Sequence, residues 1–144
     1  MGRVRDLVKV DGYEVAEGFY YHKEHLWVKI KNGKAKIGMT DFSLKNLREI
    51  VYVEIGKVGD SITKNETFGN VESTKAVLDL IAPISGTIEK INEVLASEPN
   101  LLNEDPYGEG WIAVVAPTSI ETELKELMDF NSAVEWHKEL AKGS

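Results

Sequence analysis

The sequence predicts a mainly β protein, in which an antiparallel β core carries one short internal helix and further helices at the C-terminal end. Several short runs alternate between apolar and polar residues or are rich in β-branched residues, and turn residues separate them. After Pro117 the apolar residues recur with a period of about 3.6, as in an α-helix. Strands followed by helices along one chain are typical of an antiparallel core with helices at one end.

The strongest strand signal is a hairpin centred on Asn32-Gly33. Residues 26–31 and 34–38 alternate on either side of this dipeptide. Asparagine and glycine both tolerate the positive φ angles that a type I′ turn requires, so this pattern predicts two paired strands.

The first residues of the chain carry much weaker signals. Alternation at Val8 and Val10 predicts either a loosely held arm or an edge strand, so we expect residues 1–18 to be an N-terminal extension of a single domain. The charged start at Met1 lacks a following apolar run, and we do not expect a secretory signal.

A short helix is predicted to begin at Thr40-Asp41, because both residue types are favoured at helix starts and Leu44 and Leu47 follow at helical spacing. It is short because residues 50–55 are rich in β-branched side chains and predict the next strand. Further strand character is expected at residues 61–62, 67–68, 71, 76–81, 87–91 and 111–115.

Two capping boxes predict the C-terminal helices. Thr118 precedes Glu121 by three residues, and Ser132 precedes Glu135 in the same way. In such a box the hydroxyl and the carboxylate satisfy backbone N–H groups at the helix start. The apolar positions that follow are Leu124, Leu127, Met128, Trp136 and Leu140.

The charge balance and the absence of cysteine exclude several classes of function. Seventeen basic and 24 acidic residues leave a formal charge of −7. A general nucleic-acid binder needs a basic face, so we expect none. With no cysteine, the chain has no disulfide, thiolate nucleophile or cysteine metal site, which agrees with a cytoplasmic protein. No apolar run reaches the length of a membrane span.

One polar segment between two β-rich runs contains a candidate functional residue. Residues 72–75 interrupt the strand pattern and place Lys75 at a hairpin tip in water. Nearby Glu72 and Asp79 favour the charged amine, so Lys75 would be a poor catalytic base. An exposed lysine is nevertheless accessible to an enzyme that transfers an acyl group. By composition alone, an ordinary solvated surface lysine is the more typical interpretation.

The segment around Lys75 reads Val71-Glu72-Ser73-Thr74-Lys75-Ala76. This motif resembles the core of the lipoyl-attachment segment of the glycine cleavage system H-protein family. The resemblance extends in order over about residues 20–130. Its other matching positions are Tyr21, His25, Trp27, Ile37-Gly38, Thr40-Asp41, Pro83, Ser85, Gly86, Ile91-Asn92, Pro99, Leu102-Asn103, Pro106-Tyr107 and Gly110-Trp111.

This resemblance implies a flattened antiparallel β-barrel or sandwich of the lipoyl/biotinyl type, with the carrier domain at residues 19–144. It implies that Lys75 carries lipoate through an amide, with Glu72, Ser73 and Ala76 as the recognition context. Modification would change the formal charge from −7 to −8. The protein would then be a carrier and a shared substrate, not a catalyst.

The same resemblance implies a set of partners. The lipoyl arm would shuttle an aminomethyl group between a decarboxylating glycine dehydrogenase (P protein), an aminomethyltransferase (T protein) and a dihydrolipoyl dehydrogenase (L protein). A lipoate ligase or lipoyl transferase would load Lys75. We expect brief encounters with these enzymes, a monomeric protein, and no nucleic-acid or membrane partner.

Two alternatives to glycine cleavage remain open. The family commonly has a glutamate where this chain has Leu26 and a histidine where it has Asn46, and Ser43 and residues 47–48 also depart from its pattern. An H-like carrier that relays lipoate to 2-oxoacid dehydrogenases fits these departures. An unmodified binding domain that kept the fold is the second alternative.

Other chemistries are weaker. A biotin carrier usually has methionines beside its lysine, where this chain has Thr74 and Ala76. His22 and His25, with Glu24 between them, have a spacing that could hold a metal ion, but the sequence shows no well-placed third ligand. We expect His25 to pack beside Trp27 and His22 to be exposed. A Ser73–Lys75 nucleophile pair is not expected either, because a hairpin tip offers neither an oxyanion hole nor burial.

Overall fold

The structure is a computed structural model that describes residues 6–143. Met1 to Arg5, in the predicted extension, and Ser144, in the predicted carrier domain, lie outside the described residues. The strands are β1 Leu7–Val10, β2 Tyr13–Ala16, β3 Tyr20–Tyr21, β4 Leu26–Lys31, β5 Lys34–Met39, β6 Ile50–Ile55, β7 Ser61–Ile62, β8 Thr67–Ser73, β9 Val77–Ile81, β10 Gly86–Ile91 and β11 Ala113–Pro117. The helices are α1 Asp41–Leu47, α2 Leu101–Glu104, α3 Ile120–Leu124 and α4 Phe130–Gly143, with a 3₁₀ turn at Glu93–Ala96.

The strands form three antiparallel sheets within the described part of the chain. The largest has the order β3-β4-β5-β11-β10-β7, the second has the order β6-β8-β9, and β1 pairs with β2 alone. Buried side chains from the two larger sheets share one apolar cluster, which includes Val28, Ile37 and Val115 from the first and Val71 and Leu80 from the second. This confirms the mainly β barrel-sandwich prediction, with separate sheets instead of a closed barrel.

The predicted central hairpin is confirmed. Strands β4 and β5 pair from Leu26↔Met39 to Lys31↔Lys34. Asn32 and Gly33 connect them with φ angles of 52° and 75°, as a type I′ turn requires.

The N-terminal residues form a hairpin that the sequence did not predict. Strands β1 and β2 pair with each other and with no strand of the larger sheets. Val15 and Ala16 are buried in a second apolar cluster, and the Tyr21 hydroxyl exchanges hydrogen bonds of 2.7 Å with the backbone N–H and carbonyl of Ala16. This segment is therefore packed on the core, neither an edge strand of the main sheet nor a loose arm.

The start of α1 is as predicted, but both C-terminal capping boxes are wrong. Thr40 Oγ1 accepts a hydrogen bond from the N–H of Ser43 at 3.3 Å. By contrast, α3 begins after Ser119 with no side-chain cap. Helix α4 begins at Phe130, because Asp129 Oδ1 accepts from the N–H of Ser132 at 2.9 Å and takes the capping role.

The last strand begins later than the sequence pattern indicates. The carbonyl of Trp111 accepts a hydrogen bond from Asn92 Nδ2 at 2.8 Å, and β11 starts at Ala113. No helix among residues 6–143 has the length and apolar character needed to cross a membrane.

We predict that Gly38→Ala lowers the free energy of unfolding by about 1–3 kcal/mol. Gly38 faces Trp27 across the β4–β5 ladder, and a Cβ there would overlap the indole ring. Trp27 is fully buried and donates a hydrogen bond from Nε1 to the Pro106 carbonyl at 3.0 Å, so it has little room to move. Urea denaturation measures the loss. Gly143→Ala, which meets no atom within 4 Å, is the control, and equal midpoints for the two variants would contradict the prediction.

Candidate functional site

The loop between β8 and β9 forms a tight, hydrogen-bonded tip. The two strands separate after the pair Glu72↔Val77. Ser73 Oγ accepts hydrogen bonds from the N–H groups of Lys75 and Ala76 at 3.1 and 3.0 Å, and the Ser73 N–H donates to the Ala76 carbonyl at 2.8 Å. Ser73 therefore defines the shape of the turn that presents Lys75.

Lys75 is exposed at this tip, as the strand pattern predicts. Its Nζ donates to the backbone carbonyl of Asn46 in the last turn of α1, at 3.2 Å. Within the described residues no carboxylate lies at ion-pair distance from Lys75. The amine is thus held by one weak, solvent-exposed contact and is accessible to another molecule.

A side chain distant in sequence holds the segment on which this tip rests. Asn103 Nδ2 donates to the Arg48 carbonyl at 2.8 Å, and Asn103 Oδ1 accepts from the Ile50 N–H at 2.9 Å. Between them, the Glu49 carbonyl accepts from the N–H of Thr74 at 3.0 Å. Asn103 matches the family pattern in sequence, but no local pattern predicts that its side chain fixes residues 48–50.

The other predicted recognition residues, Glu72 and Ala76, lie beside Lys75, whereas Leu26 and Asn46, where the chain departs from the family pattern, are engaged within the fold. Glu72 is exposed on the last residue pair before the tip, and Ala76 is exposed next to Lys75. Leu26 is fully buried in the core, where its side chain packs instead of facing solvent. The Asn46 side chain is already engaged within α1, where Nδ2 donates to the Phe42 carbonyl at 2.8 Å.

The histidines near the start of β4 do not assemble a metal site. Residues 6–143 contain no cluster of three or more groups that could hold a metal ion. His22 is buried, contrary to the sequence expectation: Nε2 lies 2.7 Å from Asn65 Oδ1, and Nδ1 accepts from the Glu24 N–H at 3.0 Å. Because Asn65 Oδ1 only accepts, His22 Nε2 is the donor in this contact.

His25 packs differently from the expectation. Instead of lying beside Trp27, its ring stacks between Phe42 and Trp136, with ring centroids 5.4 and 5.1 Å away. His137 on α4 is fully buried, and its Nδ1 donates to the Ala133 carbonyl at 2.7 Å. Burial lowers the pKa of His25 and of His137, because the low-dielectric interior disfavours the imidazolium form.

The lowered pKa values of His25 and His137 predict that the folded protein loses stability in mild acid. Their pKa values are lower in the folded state than the ordinary value of about 6.5 in the unfolded chain, so the unfolded state binds more protons as the pH falls through that value. We expect the free energy of unfolding to decrease from about pH 7.5 to about pH 5.5. Urea titrations at several pH values measure it. His137→Gln should flatten the slope, and a wild-type stability that is constant or rises toward acid would contradict the prediction.

We also predict that Asn103→Ala loosens the Lys75 tip while the protein stays folded. Removing two hydrogen bonds should cost about 1–2 kcal/mol locally and release residues 48–50. Hydrogen exchange at the Thr74 amide, read by NMR, should become faster. Asn100→Ala is the matched control, because Asn100 lies at the start of the same helix and makes no side-chain capping bond. An unchanged Thr74 exchange rate in Asn103→Ala would contradict the proposed bracing.

An antiparallel barrel-sandwich with an accessible lysine at a hairpin tip is the architecture of the lipoyl-domain class of carrier proteins. Residues 19–140 match the family model described as glycine cleavage H-protein. The chain therefore belongs to the glycine cleavage H-protein family, whose members carry lipoate on a lysine.

Individual relatives agree with this family. The chain is 44% identical over 135 residues to a probable glycine cleavage system H protein of Pyrococcus abyssi, with 93% of this chain and 100% of that protein covered. It is 41% identical over 133 residues to glycine cleavage system H protein 4 of Aquifex aeolicus, covering 92% of this chain and 77% of that one. The crystal structure of a glycine cleavage system H protein from Mycobacterium marinum matches with a TM-score of 0.70 and 35% identity, covering 72% of this chain and 87% of that chain.

Proposed function

We propose that the protein carries lipoate in amide linkage on Lys75 and serves glycine cleavage as a mobile carrier of the aminomethyl group. The observation that supports this most is the position of Lys75 at an exposed hairpin tip, within the segment that resembles the lipoyl-attachment segment of the family. When attached, the lipoyl group would supply a disulfide that takes up the aminomethyl group as glycine loses carbon dioxide; release of the one-carbon unit and ammonia would leave a dithiol for the dehydrogenase to reoxidise.

The residues around Lys75 fit a covalent acyl group. Thr74 and Ala76 flank it with small side chains, and both are exposed. After acylation the nitrogen would be a neutral amide that keeps one N–H, which is sufficient for its single hydrogen bond to the Asn46 carbonyl. The modification therefore costs the fold no buried charge and no buried hydrogen bond.

The chain contributes position and exposure instead of catalysis. A group that is covalently tethered to the tip stays near the active site of a bound enzyme, where its effective concentration is about mM for short flexible linkers. The 144 residues contain no cysteine, so no thiol of this protein competes in exchange with the disulfide of the arm. Neither burial nor an oxyanion hole supports a nucleophile at Ser73, which is committed to the turn.

The partners follow from this role. We propose glycine decarboxylase (P protein), aminomethyltransferase (T protein) and dihydrolipoyl dehydrogenase (L protein) as the enzymes served, and a lipoate ligase or lipoyl transferase as the enzyme that loads Lys75. We further propose that the protein acts as a monomer in the cytoplasm and that residues 1–18 extend the carrier domain at residues 19–144.

A second candidate function is the relay of lipoate to 2-oxoacid dehydrogenases. It is favoured by Leu26, which is buried in the core at a position where the family commonly has a carboxylate that would attract a cationic aminomethyl group. The Asn46 amide is also bound within its own helix. Relay requires only the acylated lysine, and it needs no binding site for the cationic amine of an aminomethyl group.

We predict that protein co-expressed with a lipoate ligase gains the mass of one lipoyl group and that Lys75→Arg gains none. The arginine keeps the positive charge but is not an acyl acceptor. Intact-mass spectrometry reads the modification directly. An exposed substitution usually changes stability by less than about 0.5 kcal/mol, so matching thermal melts would show that Lys75→Arg is folded.

The same preparation separates the candidate functions. An unchanged wild-type mass under active lipoylation would overturn the carrier function and leave an unmodified binding domain. With fully modified protein, glycine-dependent exchange of carbon dioxide by the decarboxylating enzyme supports glycine cleavage. Transfer of lipoate to a 2-oxoacid dehydrogenase without that exchange supports relay.

A further inference from the structure

We propose that the solvent-facing side of the β6-β8-β9 sheet, next to Lys75, is the docking surface for the enzyme that acylates this lysine, and that the enzyme meets it with a basic surface. We call this side the tip-side sheet face and define it by Val51, Tyr52, Glu72 and Val77 near the tip and by Glu54 and Asp79 one row further. The proposal rests on the proposed function, because it requires that Lys75 be acylated.

The register of the sheet brings these residues together. Tyr52 pairs with Glu72, and Glu72 pairs with Val77, so the three stand in one row across the sheet. The next row on the same face is Glu54, Asn70 and Asp79. Directly opposed side chains in an antiparallel sheet lie about 5 Å apart, which makes each row a continuous surface.

A β-bulge increases the apolar area of this face. The register shifts between Ile50 and Tyr52, so Val51 is an extra residue opposite β8. Ile50 is buried, whereas Val51 and Tyr52 are 49% and 50% exposed. Bulges often re-aim side chains beside functional sites, and this one lies opposite the tip residue Ser73.

Exposed apolar side chains are concentrated here. Val77, two residues after Lys75, is 64% exposed and faces the same row as Tyr52. Within residues 6–143 seven large hydrophobic residues are exposed, and three of them belong to this face. An exposed apolar patch with a polar rim is typical of a protein-interaction surface.

The charges on the three strands are all negative. β6, β8 and β9 contain Glu54, Glu72 and Asp79 and no lysine or arginine. Among the described residues, the Glu72 and Asp79 carboxylates make no ion pair or hydrogen bond, and Glu54 accepts only a long bond of 3.4 Å from Asn70. Carboxylates without cationic partners favour a basic partner, because opposite charges steer association and fix orientation.

Among the proposed partners, the acylating enzyme is the one that must contact this face, because the atom on which it acts is Lys75 Nζ itself. Acylation forms an amide between Lys75 Nζ and the acyl carbon of an activated lipoyl donor, while the bond to the donor's leaving group breaks and the amine releases a proton. The enzyme must therefore bring its active site to Nζ itself, and its surface must cover the tip and the adjacent row. Enzymes that act on the distal end of the arm do not need this contact.

We predict that the double variant Tyr52→Ser/Val77→Ser lowers kcat/KM for lipoylation about tenfold, through KM, because interface energy is concentrated in a few central apolar residues. The assay uses unmodified full-length protein, purified lipoate ligase, lipoate and ATP, with intact mass as the readout. Val58→Ser/Val94→Ser is the matched control, since both valines are exposed, at 61% and 45%, and neither belongs to the three strands of this sheet, and it should keep the wild-type rate.

A second variant tests whether the negative charge of this face contributes to docking. Glu54→Gln/Asp79→Asn leaves the residues next to Lys75 untouched and should weaken the decrease of kcat/KM with added salt, because exposed charges are screened at about 0.1 M. Thermal melts check that each variant is folded.

The outcomes distinguish this proposal from the proposed function. Variants that are lipoylated with wild-type kcat/KM and salt dependence would overturn the docking surface and leave the carrier function intact. If the fully lipoylated Tyr52→Ser/Val77→Ser protein instead loses turnover with dihydrolipoyl dehydrogenase and keeps its ligation rate, the surface belongs to another partner and the proposal is wrong. Failure of the wild type to accept lipoate would overturn both.

Discussion

The tip that carries Lys75 is anchored by one backbone hydrogen bond to a segment that the side chain of Asn103 holds. Asn103 holds the Arg48 carbonyl and the Ile50 N–H, and the Glu49 carbonyl between them accepts from the N–H of Thr74. A β-hairpin tip is ordinarily among the more mobile parts of a fold. Here the N–H of Thr74 is bonded to the braced segment, so the backbone beside Lys75 is anchored while the lysine side chain is exposed. Exposure would allow acylation, and an anchored backbone would let the proposed arm sweep a defined volume.

The apolar core also fixes the position of the two strands that carry the tip. Val71 and Leu80, in the middle of β8 and β9, are fully buried against the six-stranded sheet. Burial of alternate residues fixes the register, because a shift by one residue would turn these side chains toward solvent. The same alternation turns Glu72 and Asp79 outward. The apolar face that stabilises the fold and the acidic face that we assign to an enzyme are thus two consequences of one strand pattern.

Family membership and structure contribute different parts of the functional conclusion. The match over residues 19–140 establishes the family of lipoyl carriers. The structure adds how this chain presents the lysine: a turn shaped by Ser73 and one contact from Lys75 to the Asn46 carbonyl. It also shows Leu26 as a core residue, which is why lipoate relay stands beside glycine cleavage as a candidate function.

Local patterns in the sequence determined the β4–β5 hairpin, the start of α1 and the exposure of Lys75, because a turn, a helix cap and a polar break each depend on adjacent residues. Only the tertiary structure decided which side chain caps α4, where His22 and His25 lie, and that residues 7–16 pack on the core. It also decided the bracing by Asn103 and the tip-side sheet face, since those contacts join residues far apart in sequence. Such contacts depend on how the sheets and helices pack, and no short-range pattern encodes them.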